Sequence, residues 1–116
     1  MSEEKKTYNG RVQFWEHGYV GVKDYDDNVV ISPSLQYEEI REREGEEVAI
    51  VLKGGKWALT NLDGVAICPF IYDRISYIGA HLYKAGIYVS EDYLNTRVEY
   101  ADTRMTYAIL HANGNI

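Results

Sequence analysis

The sequence predicts an all-β protein made of antiparallel hairpin repeats with little helix. Three observations lead there. Apolar runs rich in Val, Ile and Tyr are short and are punctuated by Asp-Gly, Asn-Gly and Gly-Gly, the residues that tight turns require. The stretch Gly54–Ile75 reads as a strand, an Asp-Gly turn, a second strand, a proline stop and a Tyr-Asp-Arg-Ile exit, and that order occurs once before it and in part once after it. Eleven tyrosines stand against two phenylalanines, an excess suited to half-buried strand faces. The expected form is two full copies plus a partial third, stacked into a small compact sheet or barrel-like body over a single domain, residues 1–116.

The elements follow in order. Residues 1–7 are polar and charged and read as a frayed terminus. Tyr8-Asn-Gly-Arg leads into a strand at Val12–Trp15, Glu16-His-Gly18 turns the chain, and Tyr19–Lys23 forms the next strand. Asp27-Asn28 turns it again into Val29–Ile31, which Ser32-Pro33 ends because proline lacks the donor a central strand needs. Ser32 and Pro33 could also start a short helical piece, as N-cap and first helical residue. Val48–Leu52, closed by Gly54-Gly55, reads as a buried strand.

The copies align across these features. Trp57-Ala-Leu matches Val20-Gly-Val, Asp63-Gly matches Asp27-Asn, and Val65–Pro69 matches Val29–Pro33, with each proline five residues after its turn. Tyr72-Asp-Arg-Ile75 matches Tyr37-Glu-Glu-Ile40. The third copy starts at Thr106-Tyr-Ala-Ile-Leu and has Asn113-Gly114 at its turn. The interval between copies grows from 37 residues (Gly21 to Ala58) to 50 (Ala58 to Ala108). An insertion of about a dozen residues accounts for this, expected as an extra hairpin of Ala85–Val89 with Arg97–Tyr100. The expected core is Trp57, Leu59, Ile67, Ile75, Val48, Ile50, Leu52 and Tyr107, with Ile31 and Ile40 from the first copy.

With Lys56-Trp-Ala-Leu, Asp63-Gly, Ile67-Cys-Pro and Tyr72-Asp-Arg-Ile in view, the chain resembles the WG-repeat family of bacterial β-hairpin repeats. The resemblance covers residues 19–79 well and 106–116 in part. Ala58 and Ala108 stand where the family has its name-giving glycine, and Val20 replaces the aromatic in the first copy. The resemblance implies a repeat scaffold or binding module and carries over no catalytic residue and no cofactor.

The chemistry-bearing residues form no recognisable site. His17, His81, His111 and Cys68 have no zinc-type spacing, and one cysteine forms no internal disulfide. Asp26, Asp27 and Asp63 are turn formers, and Asp73 and Glu38 hold equivalent positions, which suggests a repeated structural hydrogen bond. Gly54-Gly55-Lys56 lacks the spacing of a phosphate loop. Glu42–Glu47 is an acidic run expected to lie in solvent. A net charge of −6 argues against direct nucleic-acid binding. No apolar run has membrane-spanning length and the start is not a signal peptide, so a cytoplasmic location without membrane contact is expected.

The functional expectation is a non-catalytic binding or scaffold module, not an enzyme, with no metal or cofactor and with a protein partner. The alternative is a small acidic inhibitor or nucleic-acid mimic that blocks a basic site on another protein. Contact residues are sought where the copies differ, in the insertion, which carries Tyr83, Tyr88, Tyr93 and Tyr100.

Overall fold

The computed structural model describes residues 4–6, 10–88 and 105–112. Among them are ten strands: β1 (Glu4–Lys6), β2 (Arg11–Glu16), β3 (Tyr19–Asp24), β4 (Val29–Ile31), β5 (Glu39–Glu42), β6 (Val48–Lys53), β7 (Lys56–Asn61), β8 (Arg74–Gly79), β9 (Leu82–Tyr88) and β10 (Met105–His111). They make three antiparallel sheets with orders β1-β2-β3-β4, β5-β6-β7 and β8-β9-β10. The only helical piece described is a single 3₁₀ turn at Pro33–Leu35, where the Ser32 hydroxyl accepts from the Ser34 amide. The protein is all-β, as expected.

Among the described residues the expected barrel-like closure is not seen. A sheet of three or four strands has too few to curl onto itself, since about eight are needed to close a filled barrel. The sheets bury their faces by packing on one another. Val20, Val22, Ile31 and Tyr37 meet Ile40, Ala49 and Val51 in one core, between the first and middle sheets. Val48, Ile50 and Leu59 meet Tyr72, Ile75, Tyr83, Ala85 and Leu110 in a second, between the middle and third sheets. Strand β6 supplies both, with Val48 and Ile50 on one side and Ala49 and Val51 on the other. This is the pleat's period of two acting on a sheet covered on both faces, and it explains why β6 reads as an unbroken apolar run.

The turns after β3 and β7 share one hydrogen-bond set. Asp24 Oδ1 accepts from the amides of Asp26 and Asn28, and Asn61 Oδ1 accepts from those of Asp63 and Val65. The left-handed residues are Asp27 (φ 67°) and Gly64 (φ 87°). The matching pairs are therefore Asp27 with Gly64 and Asp26 with Asp63, one residue away from the alignment read off the sequence. The segments that follow return along the strand edge in the same way: β4 pairs with β3 through Lys23 and Val29, and Ala66 bridges to Thr60. Tyr37 and Tyr72 then accept from the amides of Val20 and Trp57 at 2.9 and 2.7 Å.

The extra hairpin expected of Ala85–Val89 with Arg97–Tyr100 is also corrected at its first strand. Strand β9 pairs directly with β10, from Leu82 with His111 to Tyr88 with Met105. It therefore occupies the place of β6, and Ala85–Tyr88 are paired with β10, not with Arg97–Tyr100 as expected. Arg97–Tyr100 and the Asn113-Gly114 turn lie outside the described residues.

Of the expected core, Val48, Ile50, Leu59, Ile75, Ile31 and Ile40 are buried, while Leu52, Trp57 and Ile67 are half-buried. Tyr107 departs from the expectation and is 50% exposed. It stands on the face of the third sheet on which no further sheet packs among the described residues.

Candidate interaction surface

The acidic run is not a solvated loop throughout. Glu42 lies in β5 facing the first sheet, with its side chain 1% exposed and 3.3 Å from Arg11 Nη1. Arg11 also donates to the Leu62 carbonyl, and Gln13 Nε2 donates to the Ile40 carbonyl at 2.7 Å. Glu46 turns into the space between the middle and third sheets. Its carboxyl accepts from the Tyr83 hydroxyl at 2.8 Å and meets His81 Nδ1 at 2.7 Å. The guanidinium of Arg43 lies 4.4 Å over the Tyr77 ring, which in turn packs against Tyr83 at 5.3 Å. Each sheet contact thus has an apolar centre and a buried polar pair beside it.

Tyr83 therefore belongs to the core. It is 2% exposed, and burial first, then the bond to Glu46, pushes its phenol well above the ordinary tyrosine range. A ring so placed offers no surface to a partner. The reason is its parity: on β9 it shares a face with Ala85, opposite Leu110 and Tyr77. Tyr88 ends β9, and Tyr93 and Tyr100 lie outside the described residues.

The histidines and Cys68 are dispersed. Among the described residues no group of three His, Cys, Asp or Glu side chains could hold a metal ion. Cys68 is half-buried, its sulfur accepts from the Leu59 amide at 3.3 Å, and burial raises its thiol above the usual range, so the thiolate is disfavoured. Glu38 and Asp73 both reach the middle hairpin, Glu38 to the Gly55 amide and Asp73 to Lys56 Nζ.

Clefts flank the second contact, among them one lined by Glu47, His81 and His111. One of about 220 Å³ is lined by Arg41, Arg43, Ser76 and Tyr77, and one of about 370 Å³ by Arg41, Trp57, Asp73 and Arg74. Arg41 lies 4.5 Å over the Trp57 ring and so fills part of the wall itself.

The third sheet carries an open apolar surface. Strand registers relate it to the middle one: Leu52 and Gly86 both accept from the residue that opens the preceding edge strand, Glu38 and Asp73. Trp57 lies opposite Leu52, and Tyr107 opposite Gly86. Leu59 lies opposite Ile50, and Ile109 opposite Lys84. The row that the middle sheet buries against the third, Ile50, Trp57 and Leu59, thus recurs on the third as Lys84, Tyr107 and Ile109. Leu59 is 0% exposed, whereas Ile109 is 41% exposed. Lys84 Nζ lies 4.1 Å over the Tyr107 ring, and Arg74 and Ser76 extend the row along β8. Of the four expected contact tyrosines only Tyr83 has a described side chain, and it lies on the other face; the sequence signal that marks this face is the alignment of Tyr107 with Trp57.

No helix among the described residues is long and apolar enough to cross a membrane. No family model, curated protein or solved structure matches the chain.

Proposed function

We propose that this chain is a non-catalytic binding module, built from copies of one β-meander in the manner of WG repeats, and that it engages a protein partner through its third sheet. One observation carries the reading: the packing row of the middle sheet recurs on the third with its apolar members exposed. Tyrosine and arginine are enriched at protein contacts, and Tyr107 and Arg74 share this face. The two 37-residue-spaced turns with the same hydrogen bonding support the repeat. For the acidic-inhibitor alternative, Glu42 and Glu46 face inward, whereas Glu44 and Glu47 of the acidic run are exposed. A cytoplasmic setting suits the lone cysteine.

The test replaces Tyr107 and Ile109 with serine, one at a time, and follows thermal unfolding together with cross-linking of the tagged protein to its partners. The expected result is lost cross-links with a midpoint within about 4 °C of wild type, the shift of a perturbation near 1 kcal/mol. Unchanged cross-links, or collapse of the fold by either variant, would refute the assignment of this face.

A further inference from the structure

The two sheet contacts differ in where their cations find partners. On β5 the carboxylate of Glu42 lies toward the first sheet and meets Arg11 there. Strand β8 holds the same place on the third sheet. Glu42 is opposite Ala49, three residues before Leu52, and Tyr77 is opposite Tyr83, three residues before Gly86. Tyr77 thus stands toward the middle sheet where Glu42 stands toward the first, and the second contact sets cations against rings. Arg43 lies 4.4 Å over the Tyr77 ring and Arg41 lies 4.5 Å over that of Trp57. Among the described residues no carboxylate pairs with Arg43. Arg41 meets Glu39, but both side chains are about half exposed, and a pair so open to water holds its members weakly. A guanidinium stacked flat on a ring keeps its N–H groups at the rim, where they donate in the guanidinium plane.

Both arginines line the cleft of about 220 Å³ between the middle and third sheets, and Val48, Ile50, Ile75 and Ser76 form much of its remaining wall. Glu42 also borders it, with its carboxylate engaged by Arg11 on the other face. We infer that this cleft binds a carboxylate carried on a small apolar group. Arg43 and Arg41 donate to the oxygens, and Val48, Ile50 and Ile75 cover the apolar part. The guanidinium fork matches the two oxygens of a carboxylate, the group that Glu42 supplies to Arg11 at the first contact. The aliphatic wall selects against a bare anion, because inorganic phosphate would leave it uncovered. The volume lies below the range of about 300–1,000 Å³ typical of drug-sized ligands. The ligand is therefore a small molecule or a single acidic side chain. The site lies on the side of the third sheet that faces the middle one, so it does not rest on the outer face with Tyr107 and Ile109.

The probe is phenylacetate, added to the full-length protein labelled with ¹⁵N and ¹³C. The Nε–Hε signals of Arg41 and Arg43 and the methyl signals of Ile50 and Ile75 should shift saturably, with the Nε–Hε signal of Arg11 unmoved. Phenylacetamide has the same shape without the charge and should bind at least about tenfold more weakly, the effect of losing a hydrogen bond between charged groups. Acetate keeps the charge without the apolar part and should also bind at least about tenfold more weakly. Arg43→Gln should weaken phenylacetate by a similar factor. The comparison of acid with amide in the unaltered protein stands even if that variant folds poorly. Absence of saturable shifts, equal binding of the amide, or equal shifts at Lys53 and Lys84 would overturn the inference. The partner cross-links then identify the source. Their displacement by phenylacetate assigns the cleft to an acidic side chain of the partner, and binding that leaves them intact assigns it to a free small carboxylate. Cross-links that depend on Tyr107 with no phenylacetate response would remove this site and leave the binding-module reading standing.

Discussion

Glu46 comes from a stretch of acids and arginines, yet it is 5% exposed and holds the third sheet on the second. Replacing Tyr83 with phenylalanine keeps the ring and removes the hydroxyl that donates to Glu46 over 2.8 Å. A hydrogen bond to an ionised partner contributes about 1.5–3 kcal/mol, and a buried acceptor left without its donor costs about the same, so Tyr83→Phe should destabilise by about 2 kcal/mol. Glu46→Met, close in shape but apolar, should cost about 2–3 kcal/mol, nearly all of it from stranding the Tyr83 hydroxyl. The His81 side chain is 68% exposed, so water takes over that contact at little cost. The double variant removes both members of the pair at once, and apolar replacement of both is far milder than either alone. It should be less destabilised than the sum by about 1–2 kcal/mol. The assay is equilibrium urea unfolding at pH 7 followed by tryptophan fluorescence, with the slope m held common. Additivity within about 0.3 kcal/mol would show that the bond contributes nothing in solution and that shape alone registers the two sheets.

Three further outcomes are expected. Gly21→Ala should destabilise by about 2–3 kcal/mol, because the added methyl would sit 2.6 Å from the Ile31 carbonyl oxygen and 2.7 Å from Pro33 Cδ, so backbone must move; a urea midpoint equal to wild type would contradict this. Arg11→Met should cost about 3–5 kcal/mol, since it breaks an ion pair whose two side chains are 9% and 1% exposed and removes the donor to Leu62, and a loss under about 1 kcal/mol in the same assay would place Glu42 in solvent. Stability should fall as pH rises above about 10, because the unfolded chain then loses the Tyr83 proton while the folded chain, with its phenol raised, retains it. Burial also raises Tyr37 and Tyr72, so Tyr83→Phe should make the alkaline fall shallower without abolishing it; an identical profile in the variant would contradict the assignment.

The sequence alone determined the local elements, because local rules govern them. Alternation and the Gly54-Gly55 turn mark the middle hairpin, Pro33 follows the end of β4, and the unbroken run at β6 marks a strand with no solvent face; the strand expected before Pro69 is reduced to the single bridge of Ala66 with Thr60. It placed the first turn one residue off because Asp, Asn and Gly all tolerate a positive φ, so Asp27 could take the left-handed position that Gly64 holds. Tertiary structure alone decided which face each strand turns to which neighbour. Period-two alternation divides residues into two sets without saying which set is covered. Tyr83 and Tyr107 are the same residue type on paired strands of one sheet. The first lies on the side that meets the middle sheet and is buried, and the second lies on the opposite side and is half exposed. Glu46 could be told from Glu44 and Glu47 only by the Tyr83 hydroxyl, 37 residues away, that arrives beside it. Burial is a property of the pair of surfaces, and a pattern along one chain segment records only one of them.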